Sequence, residues 1–264
     1  MDVVSLAFRT DLALLRLGGT EVVDRGDHLV VRSPHNPTFW WGNFLLLAAP
    51  PPPGEAERWL DLFASTFPEA EHLAFGVDGT DGSRADLAGF AEHGLRTDAA
   101  SVMTATSVHL PPRPNGEADY RRLTTDDDWA QSVALRLACN EQGHEPEGYE
   151  VFVRRSSETN RALVAAGHGA WFGAFLDGRL VSQMGLLAAG GGLARFQSVE
   201  THPAVRGRGL AGTLVHHASR FGFTDLAART LVMVADPDYL AIRVYRSVGF
   251  AQTEAQLQAE RPSP

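Results

Sequence analysis

The 264-residue sequence contains no lysine, so all 23 of its basic residues are arginine. No side-chain amine is available to form a Schiff base, and a phosphate loop built on lysine is excluded too. Cysteine is nearly absent. Cys139 stands alone, which rules out an internal disulfide and any cysteine-rich zinc or iron–sulfur site and agrees with a reducing compartment. No apolar run approaches the roughly 18 residues of a membrane span. The N-terminal residues lack the basic-then-apolar layout of a secretory signal, so the expected location is the cytoplasm. Positive charge is also in deficit: 23 basic residues face 32 acidic ones, for a net charge of -9. That balance disfavours nucleic acid and anionic membrane as partners and favours cationic or amine ones.

What is present suits a folded chain, with 44% apolar and 21% charged residues. The length exceeds one ordinary domain. The run Pro111-Pro112-Arg113-Pro114-Asn115-Gly116 can continue neither a helix nor a central strand. It divides the chain into expected domains 1–110 and 118–264, with 111–117 as linker.

After the linker, 120–124 reads as a strand and Thr125 with Asp126 to Asp128 as a helix start running to about Glu141. A second helix covers about 149–166. Three strands follow at 170–176, 180–187 and 193–201, the first two joined by Asp177-Gly178. Leu210, Leu214, Val215, Ala218 and Phe221 recur at helical spacing, and 230–235 reads as a buried strand. A short helix through Ser247 and a closing strand to about Ala259 complete the order β-α-α-β-β-β-α-β-α-β.

The chemistry concentrates where the strand ending at Thr201 passes through His202-Pro203-Ala204-Val205-Arg206-Gly207-Arg208-Gly209 into the helix beginning at Leu210. Glycines let backbone approach a ligand, and the free N–H groups of a first helical turn with the helix dipole suit an anion such as pyrophosphate. A plain glycine-capped turn gives the same local pattern. One strand later comes Asp238-Tyr239-Leu240-Ala241-Ile242-Arg243-Val244-Tyr245-Arg246-Ser247-Val248-Gly249-Phe250. Together the two segments resemble the GNAT superfamily of acetyl-CoA-dependent N-acetyltransferases. Arg206, Gly209 and Ala211 fill its Q/R-x-x-G-x-G/A pattern. Asp238, Ala241, Tyr245, Gly249 and Phe250 fill its N-x-x-A-x-x-x-Y-x-x-x-G-F pattern, with aspartate in place of the usual asparagine.

The resemblance implies an α/β mixed-sheet GNAT fold, in two tandem GNAT-like domains, that transfers acetyl from acetyl-CoA to an amine by direct attack in a ternary complex. It implies that main-chain N–H groups of Gly207, Arg208, Gly209, Leu210, Ala211 and Gly212 hold the pyrophosphate, with Arg206 a further cofactor-binding residue of the loop and Thr213 in reach of a phosphate. Main-chain groups of Val199, Glu200 and Thr201 would pair with the pantetheine amides like an added strand. Asp238, which when ionised only accepts hydrogen bonds, departs from the family at a further contact position. Tyr245 is the implied general acid for the departing thiolate. Glu200 is either the general base or a structural or substrate-orienting group, since strand alternation leaves its face open, and with no carboxylate or imidazole at Phe196 or Ser198 an amine that deprotonates through water fits equally. The acceptor would be a small-molecule amine or a protein N-terminus. Transfer of another short-chain acyl group, or a non-catalytic CoA-binding or regulatory role, fits the same loop.

No metal is expected. His216 and His217 diverge by about 100° on one helix, and Cys139 with His144 lacks further ligands. Residues 1–110 read as a degenerate second copy, because Phe90-Ala91-Glu92-His93-Gly94-Leu95 repeats the spacing of Tyr245 to Phe250. A strand at 43–48, a helix at 55–67 and a strand at 72–77 precede it. Pro50 to Pro53 and Glu55 replace the anion loop, and Phe90 replaces the tyrosine. The run Phe39-Trp40-Trp41 is either core or a wall of the acceptor pocket.

Overall fold

The computed structural model describes residues 1–140, 145–238 and 241–262. Its elements in chain order are α1 (Leu6–Leu17), β1 (Glu21–Asp24), β2 (His28–Arg32), β3 (Phe44–Leu47), α2 (Ala56–Thr66), β4 (Leu73–Val77), α3 (Ala88–Glu92) and β5 (Arg96–Ala105). Then follow β6 (Asp119–Arg122), α4 (Asp126–Ala138), α5 (Pro146–Ala165), β7 (Gly169–Leu176), β8 (Arg179–Gly190), β9 (Leu193–Thr201), α6 (Leu210–Thr224), β10 (Thr230–Ala235), α7 (Ala241–Arg246) and β11 (Ala251–Arg261). The fold is mixed α/β. His144, Tyr239 and Leu240, and the expected helix end at Glu141, lie outside the described residues. No described helix is long and apolar enough to cross a membrane.

Contacts divide the chain into two compact units. One comprises Met1–Val102, Val234–Asp238 and Gln252–Pro264, and the other Met103–Met233 and Tyr239–Ala251. In the first, β1 pairs with β2 and β2 with β3, both antiparallel, while β3 and β4 run parallel across the α2 crossover. Every residue of β3 is buried, as befits a strand covered on both faces. Its side chains alternate between two cores. Leu45 and Leu47 pack with Trp59, Phe63, Phe75 and Phe90, and Phe44 and Leu46 with Phe8, Leu12 and Val31. Each such burial is worth about 1.5–3 kcal/mol. The aromatic run also packs inside this unit: Trp40 stacks on His72, and Trp41 donates Nε1–H to Glu260.

In the second unit β6, β7, β8 and β9 form an antiparallel meander, and β10 lies parallel to β9 across α6. Thr125 and Asp128 make the capping box that starts α4. Arg121 grips Asp128 through both Nη atoms at 2.7 and 2.8 Å, and the Thr124 and Thr125 N–H groups donate to the same carboxylate. These contacts hold Asp128, which is 2% exposed, well below the usual carboxylate range, Arg121 contributing most. Below this cap Trp129 and Leu135 of α4 pack on Trp171, Phe175 and Leu180.

The units cut the sequence differently from the expected 1–110 and 118–264 division. The closing strand, β11, pairs antiparallel with β4 of the first unit, from Leu257↔Val77 to Arg261↔Leu73. Residues 103–117, expected as a domain end and a linker, belong to the second unit. An alternating pattern identifies a strand but not its partner, which is set by contacts far away in the chain.

Candidate active site

β9 keeps its pairing with β8 as far as Thr201↔Ser182 but pairs with β10 only from Leu193↔Thr230 to Arg195↔Val232. Beyond Arg195 the β10-facing edge of β9 has no β10 partner among the described residues. A single 3-10 turn at Pro203–Val205 then leads into Gly207 and Gly209, both at φ 78°. Gly209 is the N-cap of α6, and no side chain caps that helix. The core-facing stripe Leu210, Leu214, Val215, Ala218 and Phe221 fixes the helix on the sheet. Among the described residues, the main-chain N–H groups from Gly207 to Gly212 donate to no acceptor. They form a row of donors at a positive helix end, which suits a phosphate.

Arg206 is exposed and donates Nε–H to the Thr201 carbonyl at 2.9 Å. Arg208 is exposed and forms an ion pair with Glu117. The Thr213 hydroxyl is occupied on both sides, donating to the Gly209 carbonyl at 2.9 Å and accepting from the Asn115 N–H at 2.8 Å. Asp238 lies in the first unit, 81% exposed, with Arg84 at 3.7 Å.

Glu200 sits just past an irregularity in β9. Ser198 takes φ 48°, and the register with β8 shifts between Gln183↔Glu200 and Gly185↔Gln197. This bulge brings Ser198 and Glu200 to the same arginine of α4. Glu200 Oε2 accepts a hydrogen bond from Gln183 Nε2 at 2.7 Å, and Oε1 lies 3.6 Å from Arg136 Nε. Arg136 Nη1 donates to Ser198 Oγ at 3.0 Å, and its guanidinium lies over the Phe152 ring at 5.1 Å. Gln183 is fixed in turn, its Oε1 accepting from Ser132 Oγ and Trp171 Nε1. Burial pushes the Glu200 carboxyl up, while Arg136 and the Gln183 hydrogen bond pull in the opposite direction and only partly offset it. The carbonyls beside it are in use: Glu200 O accepts from Ser182 Oγ, and Thr201 O also receives the Cys139 thiol at 3.6 Å.

Tyr245 is 5% exposed on α7, which packs against α6. Its carbonyl accepts the N–H groups of Val248 and Phe250, closing the helix over Gly249 at φ 114°. His217 stacks on Tyr120 at 5.1 Å. No group of three metal-ligating side chains occurs among the described residues.

The sequence reading missed Arg136, Gln183 and Ser132. Arg136 is a cation in the last turn of a helix, a position that solvated arginines commonly occupy, and Gln183 is one residue of a strand pattern. A buried carboxylate implies a counter-charge, but nothing local names it.

No curated protein matches the chain significantly in sequence. Among solved structures, a conserved protein of unknown function from Staphylococcus epidermidis is 9% identical, with TM-score 0.73, covering 93% of this chain and 95% of that one. A GCN5-related N-acetyltransferase from Kribbella flavida is 15% identical, with TM-score 0.64 and 98% of both chains covered. A tandem GNAT protein from the clavulanic acid biosynthesis pathway is 15% identical, with TM-score 0.55, covering 95% of this chain and 88% of that one. At these identities the likeness is one of fold. The stretch from α4 to the end of α7, which carries the glycine loop, Glu200 and Tyr245, is matched as a sequence as well: residues 129–250 fit the acetyltransferase (GNAT) family.

Proposed function

We propose that the second unit is an acetyl-CoA-dependent N-acetyltransferase that acts by direct attack of an amine in a ternary complex. The observation that carries this reading is the edge of β9, which among the described residues has no β10 partner after Arg195 and leads straight to a row of N–H groups at the start of α6 with no acceptor. Those groups, from Gly207 to Gly212, take the pyrophosphate, with Arg206 and Arg208 adding positive charge. The edge of β9 at Val199 pairs with the pantetheine amides, with Glu200 contributing less because its carbonyl already accepts from Ser182 Oγ. Thr201 contributes less, since Arg206 and Cys139 already occupy its carbonyl. Thr213 supports the loop from behind, its hydroxyl bonded to the Gly209 carbonyl and to the Asn115 N–H. Bound acetyl-CoA supplies the acetyl group as an activated thioester.

Glu200 takes the proton from the amine. Burial raises its affinity for protons, as a base requires, and Gln183 holds it in orientation. Tyr245 gives a proton to the departing sulfur. Acceptors of the matching class are small amines or a protein N-terminus, encountered in the cytoplasm.

The first unit is read as a degenerate copy of the same fold. The order of strand pairings repeats, with parallel β3 and β4 in place of parallel β9 and β10. The N–H of Leu95 returns to Phe90 O over Gly94 at φ 78°, as that of Phe250 returns to Tyr245 O. The copy lacks the loop and the phenol.

Thiol release from acetyl-CoA across an amine panel, with calorimetry for acetyl-CoA, tests the reading. Release with at least one amine is expected. Binding without release across the panel would favour a non-catalytic CoA-binding role, and no binding would end the proposal.

A further inference from the structure

The segment expected as a bare linker lies against the back of the glycine loop. Asn115 donates its N–H to Thr213 Oγ1 at 2.8 Å and its Nδ2 to the Arg208 carbonyl at 3.1 Å. Its Oδ1 accepts from the N–H groups of Glu117 and Ala118 and from the Tyr120 hydroxyl, each at 3.1 Å. Pro111 approaches so closely that a Cβ on Gly212 would lie 3.3 Å from its Cβ. A Cβ on Gly209 would lie 2.3 Å from the Arg113 carbonyl oxygen. The contact is therefore backbone on backbone, and only glycine admits it.

These bonds have a directional consequence. Arg208 precedes the N-cap Gly209, so its carbonyl takes no helical N–H, and the Gly212 N–H is one of the first-turn donors that a helix leaves without an internal partner. Here that carbonyl accepts from Asn115, and the Gly212 N–H has no acceptor among the described residues. Thr213 ties the Gly209 carbonyl to the same side-chain system. Residues 111–117 thus form a strap that holds the Arg208 carbonyl and the Thr213 hydroxyl, while the N–H groups from Gly207 to Gly212 have no acceptor among the described residues.

We propose that Asn115 is a positioning residue for the cofactor loop: its carboxamide and N–H clamp the carbonyl side of 208–213, so that the N–H side is preorganised for the pyrophosphate of acetyl-CoA. This rests on the acetyl-CoA reading given above. Preorganisation acts on affinity, because a loose loop must be ordered each time the ligand binds. Asn115 touches neither the reacting groups nor Glu200, so its effect belongs in KM and not in kcat.

Asn115→Asp keeps the acceptor that bonds Glu117, Ala118 and Tyr120 but deletes the Nδ2 donor, and Thr213→Val deletes the acceptor for the Asn115 N–H. Each is expected to raise Kd and KM for acetyl-CoA about tenfold, or about 1.4 kcal/mol, with kcat at saturation within about twofold. S-acetylpantetheine, a donor without pyrophosphate, should show the same kcat/KM in wild type and both variants. Unchanged or tighter acetyl-CoA binding in both variants overturns the clamp, the tighter case marking the strap as an obstruction. An equal loss with S-acetylpantetheine also overturns it, since the damage would then be general. If the wild-type chain binds no acetyl-CoA, the functional reading falls and this inference with it.

Discussion

Arg136 Nε stands 3.6 Å from Glu200 Oε1, near enough to stabilise its charge and too far for a hydrogen bond, while Gln183 makes the close contact at 2.7 Å. The carboxylate is held ionisable without being locked into an ion pair. The proposed role of Glu200 as base needs that balance, because a fully paired carboxylate is too weak a proton acceptor.

Glu200→Gln is expected to lower kcat by roughly 10²-fold or more while leaving acetyl-CoA affinity close to wild type. The same change should stabilise the fold at neutral pH. The folded carboxyl is raised above its unfolded value, so ionising it opposes folding. Stability is full below the unfolded pKa and declines as pH rises towards the folded one. Thermal unfolding at pH 4 and pH 8 measures this. A lower melting temperature for the glutamine variant at pH 8 would contradict the buried-carboxylate account.

Arg136→Gln removes the nearest positive charge from Glu200. The acidic limb of the kcat/KM profile should move to higher pH, because the remaining influences are burial, which raises the carboxyl further, and the neutral Gln183. A pH–rate profile recorded with saturating acetyl-CoA reads it. A limb that stays in place would mean that Glu200 is not the titrating base.

Tyr245→Phe keeps the ring, its burial and the main-chain bonds that close α7 over Gly249. It removes the phenolic hydroxyl and with it the proton donor. We expect kcat to fall about 10²-fold with little change in acetyl-CoA Kd by calorimetry. Unaltered kcat across pH 6 to 9, under conditions where chemistry limits the rate, would make the tyrosine a packing residue.

Gly207 and Gly209 share φ 78°, yet their surroundings differ. A Cβ on Gly207 meets nothing within 4 Å, whereas one on Gly209 meets the Arg113 carbonyl. Gly207→Ala is therefore expected to cost only the left-handed backbone strain, about 1–2 kcal/mol. Gly209→Ala adds displacement of the strap, and acetyl-CoA affinity should drop at least tenfold further. Sequence spacing alone suggests a collision with phosphate at Gly209, but the obstacle in the structure is the protein's own backbone. Equal affinities for the two alanine variants by calorimetry would remove the distinction.

The elements of the second unit were legible because their periodicities are strong. The helical stripe Leu210, Leu214, Val215, Ala218 and Phe221 and the meander of β7, β8 and β9 stand where spacing places them. Relations over long separations were not legible. Arg136 and Glu200 meet across two elements, and β11 gives a strand pattern that carries no sign of its partner β4. The face taken by Glu200 depends on the left-handed Ser198, which interrupts the alternation that would otherwise assign it. The strap was hidden for a different reason: a proline-rich run has no periodicity, and its contacts are made by backbone atoms and one asparagine.

The last prediction is a stoichiometry of one acetyl-CoA per chain. In the first unit, read above as a degenerate copy, the edge corresponding to that of β9 is closed: β3 pairs with β4 along its last three residues, from Leu45↔Phe75 to Leu47↔Val77. The Asp78 N–H extends the contact to the Leu47 carbonyl at 2.8 Å. A pantetheine arm would have to break those bonds. Before α2 the chain runs Pro50 to Pro53, whose nitrogens carry no hydrogen to donate, and Glu55 at the helix start opposes an anion. Phe90, fully buried, stacks on Phe75 at 4.6 Å and offers no proton. Titration of the whole chain should give one site, and Gly209→Val should abolish that single isotherm without revealing a weaker second one. Two equivalent sites would show that the first unit retains a cofactor site despite its prolines.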